Sequence, residues 1–191
     1  MLDIPPATPW TGPIFRDIDT EPPLEELSGE EFKYKTANKK PDARSDVRIR
    51  GFWQKHQDAF FDFRVFYPYA SSYKAKSLQS LYTCFEKEKC REYEQRVNDV
   101  DGGSFTPMVL SSTGGMGPRM KAALKNLATR LSDKSGENYS QVITLLRARF
   151  CMSLLRSAVV CLRGTRSRRV VSADNVVMGT TMSYAAAALR L

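Results

Sequence analysis

Histidine is nearly absent from this chain of 191 residues, which holds only His56. A Ser-His-Asp or Cys-His mechanism would have to use that one imidazole, which falls in a predicted turn with no evident partner. Any hydrolytic chemistry would then need carboxylates and a hard metal ion. Cysteine is scarce too. Cys84, Cys90, Cys151 and Cys161 match neither a CxxC zinc pair nor a secreted disulfide framework, and read as free thiols in a reducing compartment. Long apolar runs are missing: the stretch 151–162 is interrupted by Arg156 and is too short to span a bilayer. The opening residues lack the basic and apolar regions of a secretory signal. Together these absences lead us to expect an intracellular protein, with the nucleus among its compartments and no membrane partner.

Acidic residues are also unevenly supplied. Eight of them lie in residues 1–31 against Arg16 alone, a net −7 that leaves +15 on the rest of a chain whose total is +8. Segment 119–169 has twelve Lys or Arg and only Asp133 and Glu137. A field of that sign attracts polyanions, and nucleic acid is the commonest one. Arg48 and Arg50, then Arg147, Arg149, Arg156 and Arg163, with Arg166, Arg168 and Arg169 beyond them, are candidate phosphate contacts. Solvated basic helices produce the same charge without a partner.

Six of the ten prolines lie in residues 1–23, which read as an extended leader without fixed structure. Residues 24–167 read as one α/β domain and 168–191 as a tail. Residues 44–67 alternate as a β-hairpin, with Val47 and Ile49 on one strand and Phe61, Phe63 and Val65 on the other. Leu78, Leu81, Tyr82, Phe85, Lys89, Tyr93, Val97 and Val100 recur at helical spacing, which predicts one long helix over 77–99, with Glu92 and Arg96 placed for an i,i+4 pair on a charged face. Residues 105–110 read as a further strand, 118–131 as a helix opened by Pro118, and 139–163 as a last helix. That last helix is apolar nearly all round after Phe150, which predicts the most buried element. The expected fold is a small mixed sheet flanked by three long helices.

The hairpin carries the chemistry. If Val47, Ile49, Phe61, Phe63 and Val65 share a face, Asp46, Asp62 and Arg64 share the other. This needs opposed residues whose numbers sum to an even value, hence an odd-length loop. An odd sum would bury carboxylates opposite valine and isoleucine, at several kcal/mol per unpaired charge. Two carboxylates and a cation on one face suit a metal-dependent nuclease. The same residues, with Arg48 and Arg50, also read as a cross-strand salt-bridge ladder on a solvent face. The loop with Thr113, Gly114, Gly115 and Gly117 lacks the lysine of a phosphate loop. Its amides could line an anion site, and a tight strand-to-helix turn accounts for it equally.

The wording of several segments adds to this. Leu24-x-x-Leu27-x-Gly29-Glu30, Thr36-Ala37-Asn38, Asp42-Ala43-Arg44-x-Asp46-Val47, Gly51-Phe52-Trp53 and Phe60-Phe61-Asp62-x-Arg64-Val65-Phe66-x-Pro68 form one series. Ser104-Phe105-x-Pro107 and Ser112-Thr113-Gly114-Gly115-x-Gly117 follow. The series resembles the PD-(D/E)XK-like, restriction-endonuclease-type region found downstream of the reverse transcriptase in retroelement polyproteins, over residues 21–167. The resemblance implies Asp46 and Asp62 as ligands of Mg²⁺ or Mn²⁺, Arg64 in the place of the usual lysine, and nucleic acid, DNA in particular, as partner. Three departures accompany it. Arginine does not release a proton as lysine can, Ser45 stands where an apolar residue is expected, and the Pro-rich leader replaces an acidic helix, as in a shortened copy.

Overall fold

The computed structural model describes residue 15, residues 17–25 and residues 33–164. Four strands form one mixed sheet in the order β1 (Ile18–Thr20), β2 (Val47–Arg50), β3 (Asp58–Phe66) and β4 (Ser104–Ser111). The first three run antiparallel and β4 lies parallel to β3. A parallel neighbour requires a crossover, and a single long helix supplies it: α1 (Leu78–Lys89), one π-type turn over Cys90–Glu94, and α2 (Gln95–Asp99). The Ser77 hydroxyl caps its start by accepting the Ser80 N–H at 3.2 Å. Helices α3 (Pro118–Ser135) and α4 (Tyr139–Gly164) follow β4. Gly136, at φ 72°, ends α3 in the left-handed conformation that glycine adopts without steric cost.

The hairpin pairs Val47 with Phe61 and Ile49 with Ala59, the even-sum register that packing demanded. Gly51 N–H donates to Gln57 O at 2.8 Å, so the loop proper is the five residues 52–56. Phe52 leaves that loop to pack against Phe15, Trp53 and Phe61. On this side Val47, Ile49, Phe61, Met108 and Leu110 meet α3 (Met120, Leu124, Leu127) and α4 (Val142, Leu146, Phe150) in one continuous core.

The opposite side of the sheet faces α1–α2. Here Phe60 and Phe105 pack with Leu24, Cys90, Tyr93 and Val97, while Phe66 and Val109 pack with Leu81, Tyr82 and Phe85. The domain therefore has three layers, α1–α2, sheet, and α3–α4.

Three expectations need correction. The leader does not remain unstructured to residue 23, because Ile18–Thr20 is an edge strand and Phe15 and Leu24 are buried. Pairing with β2 and apolar anchoring outweigh the local proline content. Arg96 does not lie on a charged outer face but is 2% exposed. It donates to four carbonyls, those of Glu25 (2.8 Å), Asn38 (3.3 Å), Lys40 (2.8 Å) and Leu24 (3.0 Å), pinning the segments before β2 onto α2. Finally, α4 beyond Phe150 is among the most open parts of the described chain, with Met152 56%, Leu155 60% and Val159 46% exposed. Phe150 is the last fully buried member of the core, with Leu154 packed at its edge, and apolar composition alone does not reveal that. The tail 168–191 lies outside the described residues.

Candidate active site

Asp46 immediately precedes β2, and extending the register by one residue sets it opposite Asp62. Both are on the α1–α2 side and buried, at 7% and 4% exposure. The face expected to meet solvent is thus roofed by a helix. Asp46 is fixed at both ends. Its N–H donates to Phe61 O at 3.0 Å, its Oδ2 accepts the Phe63 N–H at 2.6 Å, and its carbonyl accepts the Glu21 N–H at 2.9 Å.

The cation beside Asp62 comes from the roof. Lys89 Nζ lies 2.8 Å from Asp62 Oδ2 and 3.7 Å from the Glu92 carboxylate, and rests 5.1 Å from the Tyr93 ring centroid. Arg64 is turned elsewhere. Its guanidinium pairs with Glu88 at 2.9 Å and lies 4.1 Å over the Phe85 ring. Position 64 continues the side-chain alternation of Asp62, but the aromatic ring and Glu88 hold the longer side chain away.

Burial, and then the neighbouring Asp62 charge, push the Asp46 carboxyl up to about 7. Burial likewise raises Asp62, against the opposing pull of Lys89. Burial alone would lower the Lys89 ammonium; Asp62 more than offsets this and raises it. Burial, followed by Asp62, takes the Tyr93 phenol up to about 12. Two carboxylates sharing one ammonium leave residual negative charge in a poorly solvated place.

The other expected residues are distributed differently. Arg48 pairs with Asp19 across β1–β2 and with Asp58 at 3.6 Å, both acids outside the expected ladder, and Arg50 is exposed at the end of β2. Arg147, Arg149 and Arg163 lie on α4, across the sheet from the aspartates, with Arg149 half-buried and the other two exposed. Arg166, Arg168 and Arg169 lie outside the described residues.

The glycine-rich turn consumes its own amides. Gly114 N–H donates to Ser111 O (3.0 Å), Gly115 N–H to Ser111 Oγ (2.9 Å) and Gly117 N–H to Val109 O (2.8 Å), while Thr113 Oγ1 meets Ser111 Oγ at 2.9 Å. The start of α3 already has its anion: Glu86 Oε1 accepts the Arg119 N–H at 2.9 Å.

Lys89 and Glu92 beside the aspartates, and Glu86 and Arg96 as structural ties, are groups that the sequence reading placed in other roles or passed over. Lys89 alone gave a signal, as a lysine in an apolar stripe, four residues from both Phe85 and Tyr93. Among the described residues no group of three His, Cys, Asp or Glu gathers as a metal site, and no helix is long and apolar enough to cross a membrane. A groove of about 910 Å³ runs along α1–α2 past Tyr34, Glu86, Cys90, Glu94 and Arg119, and does not include Asp46 or Asp62. No family model matches the chain, and neither a curated protein nor a solved structure matches it.

Proposed function

We propose that Asp46, Asp62 and Lys89 form the centre of a metal-dependent endonuclease-like domain of mobile-element origin, acting on nucleic acid, DNA in particular. The observation that carries this reading is the convergence of two buried aspartates from a hairpin with a lysine from the crossing helix, 2.8 Å from the second. Lys89 answers the main departure from the pattern, since it supplies the compact ammonium that Arg64 could not.

The donor set suits Mg²⁺ or Mn²⁺, which are commonly held by one or two carboxylates with water and phosphate oxygens completing the shell. Asp46 and Asp62 would hold the ion, and its charge would offset the burial that raises both carboxyls and the repulsion that Asp62 adds at Asp46. When bound, such an ion would activate water and stabilise charge developing on the phosphate. The chain itself does the positioning. The Phe63 N–H aims one Asp46 oxygen, leaving the other for a ligand. Lys89 Nζ keeps its proton and places positive charge beside Asp62, where a phosphate oxygen would meet it.

The near closure of both carboxylates supports a second reading, a non-catalytic nucleic-acid-binding remnant of the same fold. Nicking of supercoiled plasmid by purified protein with Mg²⁺ or Mn²⁺ separates the two. The nuclease predicts cleavage that EDTA, Asp62→Asn and Lys89→Met each abolish and Arg64→Gln leaves within a few-fold. Salt-dependent DNA binding by folded protein without nicking would establish the remnant.

A further inference from the structure

The open half of α4 is patterned. Leu145, Ala148, Met152, Leu155 and Val159 are all exposed and follow one another at spacings of three, four, three and four residues. Leu162 takes the next place in the sequence. From Leu145 to Val159 this is the a/d repeat of a coiled-coil seam, sustained over about 21 Å of helix. It lies opposite the face by which Val142, Leu146 and Phe150 enter the core. Arg149, Arg156 and Arg163 recur seven residues apart, all at the e position beside the seam. The g positions, Thr144, Cys151 and Ala158, carry no charge.

We propose that this face of α4 docks an amphipathic helix of another protein, with an apolar seam and acidic residues at the positions facing the three arginines. The charge pattern selects the occupant. A second copy packed antiparallel would set e against e, arginine against arginine, and a parallel copy would set the arginines against uncharged g residues. An acidic flank satisfies all three. A phosphate backbone would use the arginines, but would leave an apolar seam of exposed Leu145, Met152, Leu155 and Val159 in water. The surface is separate from the aspartate site, across the sheet, and does not depend on the function proposed for it.

The test uses the full chain and two synthetic helical peptides of about three heptads, with Leu at a and d and either Glu or Lys at the flanking positions. Fluorescence anisotropy should show the Glu peptide binding roughly tenfold or more tighter than the Lys peptide, the scale of three exposed ion pairs made rather than opposed. The triple reversal Arg149→Glu, Arg156→Glu, Arg163→Glu should invert that preference. Leu155→Asp should abolish binding of both peptides while circular dichroism stays unchanged. Equal binding of the two peptides, or none, overturns the proposal. So does sedimentation showing a dimer of the chain that Leu155→Asp dissolves, which would assign the seam to a second copy. Loss of DNA binding in the triple reversal without any peptide preference would likewise overturn it, in favour of nucleic acid.

Discussion

The two faces of the sheet are built on different principles. Against α3–α4, the side chains of Val47, Ile49, Phe61, Met108 and Leu110 join one uninterrupted apolar core. Against α1–α2, the order along β3 is Phe60, Asp62, Arg64, Phe66, and the apolar packing splits into two smaller clusters with charge between them. The first face uses burial that is non-directional and close-packed. The second holds buried carboxylates and guanidinium groups whose partners must be placed individually. A sheet that needed only stability would gain nothing from the second arrangement. Burying those charges costs desolvation that an apolar face avoids, and that cost is the physical argument for the site proposed there.

Arg96 offers the sharpest way to break the polar face. Truncation by Arg96→Ala takes the donor from four carbonyls at once, that of Leu24 buried and the other three partly so, and unpins residues 24–25 and 38–40. The expected loss is about 3–5 kcal/mol in urea unfolding, the scale of breaking a buried charged network. Leu127→Ala on the apolar face should cost about 2–5 kcal/mol through its cavity. The two losses differ in kind. Arg96→Met keeps volume and still loses most of the stability, whereas Leu127→Met costs less than about 1.5 kcal/mol.

Asp46 sharpens the contrast through pH. Its carboxyl titrates near 7 in the folded protein and near 4 when unfolded. Between those values the native state binds more protons, so stability falls as pH rises from about 4 to about 7. The sign is opposite to that of an ion-paired carboxylate. Asp46→Asn keeps an acceptor for the Phe63 N–H and removes the charge. It should therefore stabilise the protein at pH 8 by up to about 2–4 kcal/mol and change little near pH 4, read by urea midpoints across the range. An unchanged pH profile in the variant would sink this assignment. No residue of the apolar face should show such a gain.

Lys89→Met, of similar length, leaves Asp62 without its ammonium and should cost about 1–3 kcal/mol near neutral pH. Asp62→Asn in the same chain should restore much of that loss. A double-mutant cycle that shows additivity instead would mean the contact carries no coupling.

How far all this was legible in the sequence differs between the faces for the same reason. Period-two alternation of Val47, Ile49, Phe61 and Phe63 is a backbone property, and it specified the hairpin register, the shared face of the aspartates and the mixed α/β architecture. The partner of Asp62 is a tertiary property. Arg64 looked right because it lies two residues along the same strand, but Lys89 reaches the carboxylate from a helix that the crossover lays over the sheet. Glu92 and Arg96 have ideal spacing for a surface pair, yet Arg96 is drawn inward by carbonyls from segments more than fifty residues away in sequence. The run 151–162 failed differently. Apolar content predicted burial, while the heptad spacing of its exposed residues, present in the letters all along, pointed to a seam.

The smallest effect tests whether the polar face merely tolerates its carboxylates or uses them. Glu86 is 6% exposed and accepts the Arg119 N–H at the start of α3, where the helix dipole favours negative charge. Burial nevertheless raises its carboxyl, against the opposing pull of that N–H and of Arg119. Glu86→Gln keeps an acceptor and removes a charge that burial disfavours, so it should stabilise the protein by about 0.5–1 kcal/mol above pH 6 and change little in acid. Gly117 lies so close that a Cβ there would meet Glu86 Oε1 at 2.5 Å. Gly117→Ala should thus displace the same carboxylate, and its cost should shrink when Glu86→Gln is already present. If the two effects simply add, Glu86 is a bystander to the helix start, and the link from α1 to α3 through this carboxylate is broken.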